Sequence, residues 1–105
     1  SDQGDLVGAV EDFNQAIALN PQYASAYYNR GIARKNQGDL AGAVEDYNQA
    51  IALNPQFAFA YGNRGLAYRD LKRYREALDD LNRAIELGLT EAIPARDEVL
   101  QRLGQ

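Results

Sequence analysis

The sequence predicts an all-α chain of repeated antiparallel helix pairs, and three observations predict it. A 20-residue segment recurs at an offset of 34, its apolar residues step by three and four, and two of its copies close on Asn-Pro. Residues 4–23 read GDLVGAVEDFNQAIALNPQY and residues 38–57 read GDLAGAVEDYNQAIALNPQF, identical at 17 of 20 positions. The differences, Val7/Ala41, Phe13/Tyr47 and Tyr23/Phe57, are mild. A second block recurs at the same offset, AYYNRGIA at 26–33 and AYGNRGLA at 60–67. A period of this length marks a helical-repeat architecture, in which no unit hides its apolar face alone and neighbours must stack.

Six helices follow, at about 5–19, 23–36, 39–53, 57–70, 73–87 and 91–103. The first and third begin after Gly, where Asp5 and Asp39 are natural N-caps. Both stop at Asn-Pro, because the residue before Pro disfavours the helical region. Within 39–53 the residues Leu40, Ala43, Val44, Tyr47, Ala50, Ile51 and Leu53 form one apolar stripe. The second and fourth helices carry Gly31 and Gly65 in their interiors, at a cost of about 1 kcal/mol each relative to Ala. A helix accepts that cost where another helix must come close. Ala43, Ala50, Ala77 and Ala84 serve the same contacts, and Phe13, Tyr27, Tyr47, Tyr61 and Leu81 fill the gaps. The fifth helix is a worn copy: it keeps Ala77, Asp80, Asn82, Ala84, Ile85 and Leu87 in register but lacks the Asn-Pro. Pro94 suits the first turn of the sixth. Short loops make neighbouring helices antiparallel.

Composition narrows the function. Of 105 residues, 46% are hydrophobic and 25% charged, as in an ordinary globular domain. The net charge of −4 opposes a general affinity for nucleic acid or anionic membrane. With no Cys and no His, thiolate chemistry and His- or Cys-based zinc sites are excluded. No run of about 18 apolar residues or secretory signal is visible. Met is absent even at position 1, which points to a processed, excised or engineered start. The lack of Cys and of a signal leans localisation toward the cytoplasm.

Catalysis finds little support. The carboxylate pairs Glu11-Asp12, Glu45-Asp46 and Asp79-Asp80 are adjacent on helices, so their members diverge by about 100°. They also recur every 34 residues and read as a solvated acidic outer face. Gly4, Gly38 and Gly88 are single turn residues and Gly8 and Gly42 lie within helices, so no phosphate-cradling loop is present. Neither an enzyme nor a cofactor or metal is expected. Arg30, Arg34, Lys35, Arg64 and Arg69, with Tyr28 and Tyr68 nearby, offer a local basic cluster for nucleic acid, which the acidity of the whole opposes.

The pattern Tyr27, Gly31, Ala43, Tyr47, Ala50, Pro55, returning as Tyr61, Gly65, Ala77, Leu81, Ala84, resembles the tetratricopeptide repeat (TPR). Its second half alone appears at Ala9, Phe13, Ala16 and Pro21. The resemblance implies a right-handed solenoid, or α–α superhelix, of antiparallel pairs. As one domain over 1–105 it holds a second helix of a truncated repeat at 1–23, full repeats at 24–57 and 58–91, and a capping helix at 92–105. Arg30 and Arg64 stand where the family more often has Leu, and Arg34 where it often has Tyr. Their stems are expected along apolar surface with the guanidinium in water.

The resemblance also implies a concave groove for a peptide or protein, lined by the first helix of each pair. These faces carry Ser25, Tyr28, Asn29, Ile32, Lys35 and Asn36, then Phe59, Gly62, Asn63, Leu66, Arg69 and Asp70, and the cap adds Ile93, Arg96 and Leu100. Asn29 and Asn63 can each donate to and accept from a peptide amide. Tyr28 and Phe59 offer flat apolar contact, and Lys35, Arg69 and Arg96 can meet acidic groups. The clamp that some members use for a chaperone carboxylate is not expected: Tyr28 replaces its Lys and Ile32 its Asn, and only Asn63 fits.

The repeats are out of phase with the chain. Ser1 falls near the end of a first helix, so 5–19 lacks its partner, and Leu6, Val10, Phe13 and Ile17 are expected to be partly bare and to drive self-association. Full burial of such a side chain is worth roughly 1.5–3 kcal/mol. At the other end Val99 replaces the Gly that would admit another helix, and Arg96, Asp97, Glu98 and Arg102 make 91–103 a solvating cap. An alternative reading is an engineered or excised fragment whose only activity is assembly of its ends, as a dimer or head-to-tail filament.

Overall fold

Helix boundaries follow the punctuation in the sequence. The computed structural model describes residues 2–105. In chain order these form α1 (Asp2–Leu19), α2 (Ala24–Asn36), α3 (Leu40–Leu53), α4 (Ala58–Asp70), α5 (Tyr74–Glu86) and α6 (Ile93–Leu103). A 3-10 turn, Thr90–Ala92, leads into α6, and no strand occurs among the described residues. Ser1 lies outside the described residues, and with it the expectation that it ends a first helix.

The largest departure from the expected boundaries is at the start of α1. α1 begins at Asp2 and runs through Gly4 and Asp5, so Asp5 is not an N-cap. Its counterpart Asp39 is one: Oδ1 accepts from the Gly42 N–H at 2.9 Å. The difference lies in what precedes each residue. Gly38 adopts φ +88°, and the N–H groups of Gly38 and Asp39 donate to the carbonyls of Lys35 and Arg34, closing α2 before α3 begins. At Gly4 and Asp5 the backbone is already helical, so no such closure separates Asp5 from what precedes it. Lys72, in the register of Gly38, makes the same closure at φ 62° without being glycine.

The described chain divides into two units, Ser1–Pro55 and Gln56–Gln105. In the first, α2 packs on α3 and also on α1. Ala43, Tyr47 and Ala50 are wholly buried. Gly31 makes that packing possible, since a Cβ there would lie 2.7 Å from Tyr47 Cε1. In the second unit α5 packs against α4 and α6, around Ala77, Leu81, Ala84, Ala92 and Val99. Gly65 repeats the role of Gly31, with Leu81 Cγ 2.9 Å from a Cβ placed there. Val99, in the same register on α6, is wholly buried in this core.

The arginines depart from expectation. Arg30 donates Nε and Nη2 to the two carboxylate oxygens of Asp46 at 2.9 and 2.7 Å, and Nη1 to Asn14 Oδ1 at 2.8 Å. Arg34 adds a bond to Asp46 Oδ2 at 3.2 Å. Arg64 grips Asp80 in the same way, 2.7 Å on each oxygen. The guanidinium groups therefore bond across helices instead of pointing into water. Asp46 and Asp80 are buried, at 2% and 5% exposure, which corrects their reading as a solvated face; Glu45 and Asp79 beside them are exposed. A carboxylate tolerates such burial when a planar fork satisfies both its oxygens. Burial pushes the Asp80 carboxyl above its ordinary range, against the opposing pull of the Arg64 hydrogen bonds. Those same bonds raise the pKa of Arg64. One polar atom is left over: Tyr47 Oη is buried without a partner, and burial pushes that hydroxyl up.

Candidate functional site

A helix presents residues three and four apart on one face. On α4 that rule aligns Phe59, Gly62, Asn63 and Leu66, and the structure places all four on the wall of one open cavity of about 200 Å³. Leu81 of α5 forms the floor with Leu89, from the turn after α5. Glu91, Ala92 and Ala95 close the far side. The cavity lies wholly within the second unit.

Gly62 is what opens it. Its counterpart on α2 is Tyr28, whereas a Cβ at Gly62 would already sit 2.8 Å from Leu89 Cδ2. The wall is mostly apolar, and Phe59 is 53% exposed at its rim. Polar character comes from Asn63, whose Nδ2 donates to the Phe59 carbonyl at 3.1 Å, and from exposed Glu91.

Arg69, Asp70 and Arg96, expected in the groove, are otherwise engaged. Arg69 bonds Asp70 and Glu98, each at 3.1 Å, and Arg96 bonds Asp97 at 3.0 Å. Such exposed pairs are worth about 0–1 kcal/mol, so they can be exchanged for other contacts. None of Arg69, Asp70 and Arg96 lines the cavity. The α2 stripe belongs to the other unit. There Tyr28 is half-buried with its ring 6.0 Å from that of Tyr47, Ile32 and Lys35 are half-buried, and Asn29 and Asn36 are exposed.

On α1, Leu6, Val10, Phe13 and Ile17 are half-buried, while Val7 and Leu19 are 48% and 88% exposed. Sequence reasoning passed over these last two, and also Leu89, Glu91, Ala92 and Ala95 of the cavity. A signal for Leu89 was present: the third copy reads Gly88-Leu89 where the others read Asn-Pro. Among the described residues no group of three acidic side chains is placed to hold a metal ion, and no helix is long and apolar enough to cross a membrane.

Comparison with known proteins identifies the repeat. A tetratricopeptide repeat family model matches residues 24–57 and 58–87, and a TPR repeat model matches residues 2–38. No curated protein matches the sequence. Among solved structures, the first TPR of Spaghetti (RPAP3) bound to the HSP90 peptide SRMEEVD is 30% identical, with a TM-score of 0.94 over 98% of this chain and 83% of that one. The Arabidopsis OM64 TPR domain is 29% identical, with a TM-score of 0.90 over 94% and 84%. The TPR2B domain of yeast Sti1 in complex with pHsp70 is 26% identical, with a TM-score of 0.89 over 94% and 86%.

Proposed function

This chain belongs to the tetratricopeptide repeat family, an all-α solenoid fold of protein-interaction scaffolds, and from that premise we propose that it holds a peptide segment by one apolar side chain. The cavity opened by Gly62 carries the reading. It has room for a single aliphatic or aromatic side chain, whose full burial is worth roughly 1.5–3 kcal/mol. Phe59 and Leu66 flank that side chain, and Asn63 addresses the peptide backbone. The α2 stripe of Tyr28, Asn29, Ile32, Lys35 and Asn36 is a further contact surface in the other unit. Arg69, Asp70 and Arg96 answer charges beside the cavity by exchanging their present partners.

Two structural neighbours are recorded with chaperone peptides or partners, which supports a peptide ligand. An acidic tail suits this chain poorly. Tyr28 and Ile32 replace the residues of the carboxylate clamp, the nearby arginines already face acids, and Glu91 sits on the cavity wall. No catalytic role is proposed, because Asp46 and Asp80 are taken up by structural pairs.

The test is a titration of isotope-labelled protein, followed by NMR, with peptides that carry one apolar anchor and with SRMEEVD. Apolar-anchored peptides should shift the signals of Phe59, Asn63 and Leu66, and Phe59→Ala should weaken them without unfolding an already exposed site. Equal or tighter binding of SRMEEVD, or shifts confined elsewhere, would contradict the reading. A second surface is the α1 stripe of Leu6, Val10, Phe13 and Ile17, whose incomplete burial favours self-association. Light scattering over a concentration series reads it out, and a strictly monomeric chain at high concentration ends it.

A further inference from the structure

We propose that Glu91 makes the cavity selective for a peptide whose apolar anchor stands directly beside a lysine or arginine. The proposal rests on the reading of that cavity as the seat of one apolar side chain, and adds the chemistry of the residue next to it.

The charge on the cavity wall has one sign. Of the described residues that line it, Glu91 alone is charged. Its side chain is exposed and meets no cation among the described residues. Thr90 Oγ1 donates to Glu91 Oε1 at 3.4 Å, which is long for a bond between two oxygens. A carboxylate accepts from several directions, so most of its capacity stays open. The nearby arginines do not offset this charge. Arg69 already faces Asp70 and Glu98, Arg96 faces Asp97, and neither arginine lines the cavity. An apolar anchor therefore brings its neighbours in the peptide to a rim with an unanswered negative charge. A lysine or arginine there gains a partner, whereas an aspartate or glutamate meets its like.

The repeat ties this charge to the cavity. At the offset of 34, Gly62, Leu81 and Glu91 stand where the first full repeat has Tyr28, Tyr47 and Phe57. Gly for Tyr and Leu for Tyr remove bulk and open the space, and Glu for Phe sets a carboxylate on its wall. All three departures meet in the unit that bears the cavity. The backbone under Glu91 is also fixed. Gly88, at φ +104°, closes α5 by donating to the Ile85 carbonyl, while the Leu89 N–H donates to that of Ala84, each at 2.9 Å. The N–H groups of Thr90 and Ala92 then donate to the carbonyls of Gly88 and Leu89 at 3.0 and 3.1 Å, and Ala92 is buried. Glu91 is thus presented on a bonded turn, across the cavity from Phe59 and Leu66.

The probes are short labelled peptides, capped at both ends so that their termini carry no charge. Each holds one central Leu in a Gly-Ser frame with Lys, Gln or Glu beside it, and is titrated against the full chain by fluorescence anisotropy. The Lys peptide should bind about two- to fivefold more tightly than the Gln peptide, in line with an exposed charge pair, and the Glu peptide should bind weakest. Added salt should shrink the spread. Glu91→Gln should erase the preference and Glu91→Lys reverse it. Glu86→Gln removes the same charge from an exposed position outside the cavity and should leave the preference intact. Both positions are exposed, so the helical circular dichroism of these variants should match the parent. A preference that persists in Glu91→Gln, or is lost in Glu86→Gln, would assign it to the overall charge and overturn the proposal. Equal binding of the three peptides would overturn it too, while the anchor reading survives if Ser in place of the peptide Leu abolishes binding. If that Ser peptide binds as well as the others, the anchor reading fails and this one falls with it. Leucinamide that binds as tightly as the Lys peptide would put a free cationic ligand in place of the peptide and likewise overturn the proposal.

Discussion

Gly31→Ala sets helix propensity directly against packing. In a helix interior Ala is favoured over Gly by about 1 kcal/mol. Against that gain, the added Cβ would meet Tyr47 Cε1 at 2.7 Å, Tyr47 Cδ1 at 3.0 Å and Asp46 Cβ at 3.2 Å. Neither neighbour can yield cheaply. The Tyr47 ring is wholly buried against Tyr28, and Asp46 is held by Arg30 and Arg34. Overpacking of this kind costs about 1–3 kcal/mol, and two fixed neighbours place it in the upper half, leaving a net loss of about 1–2 kcal/mol. For a chain of this size that lowers Tm by about 5–10 °C. Gly8 is the control. It lies within α1 with nothing within 4 Å of a Cβ, so Gly8→Ala gains the propensity without the collision and stabilises by up to about 1 kcal/mol. Thermal and urea unfolding followed by circular dichroism compares the two. A Gly31→Ala variant as stable as the parent, or two variants that shift the same way, would refute the argument that helix approach sets this residue.

Other outcomes follow from the same contacts. Arg64→Ala strands the buried Asp80 carboxylate and should cost about 3–5 kcal/mol in urea unfolding, while Arg64→Met with Asp80→Leu should recover most of it. Tyr47→Phe removes a buried hydroxyl that has no partner and should be neutral or stabilising by about 1 kcal/mol, as Phe13 in the same register suggests. Lys72→Gly relieves a positive φ and should raise Tm slightly, whereas a fall would mean that the Lys72 side chain makes contacts worth more than the strain. NMR titration of carboxyl carbons should place Asp80 above the ordinary range and Glu76 below it, and the reverse order would contradict the contacts described. Burial raises Asp80, so the folded state holds the extra proton and this group lowers stability as pH rises from the unfolded carboxylate value to the folded one. Glu76 is lowered by its hydrogen bond from Arg73, so its contribution is present above the unfolded value and is lost as pH falls.

The helices were legible because period, spacing and stop signals agreed. Gly31, Gly65, Ala43, Ala50, Ala77 and Ala84 announced close contacts by being small, and each is buried. Asp5 misled because a cap is a relation between a residue and the helix before it, and a local Gly-Asp is silent about that helix. Arg30 and Arg64 misled for a similar reason. Their partners lie sixteen residues on, across a turn, and only the pairing of two helices shows that Asp46 and Asp80 meet them. One clue was in plain view: Arg and Asp both recur at 34 residues, and a partnership kept through duplication keeps both halves. At the candidate site, Phe59, Asn63 and Leu66 followed from one helix stripe. Leu89, Ala92 and Ala95 did not, because they arrive from a turn and a neighbouring helix whose approach no single-helix pattern encodes.

The Arg30–Asp46 and Arg64–Asp80 crossings bear on how the protein meets heat. Water orders strongly around ions, so its grip on a carboxylate or guanidinium slackens as temperature rises, and the penalty for keeping such groups dry shrinks. Apolar contacts enjoy no comparable relief. The middle of each helix pair is therefore fastened by an interaction that becomes less costly on warming, and unravelling should start from helix tips and turns, with the crossings the last to part.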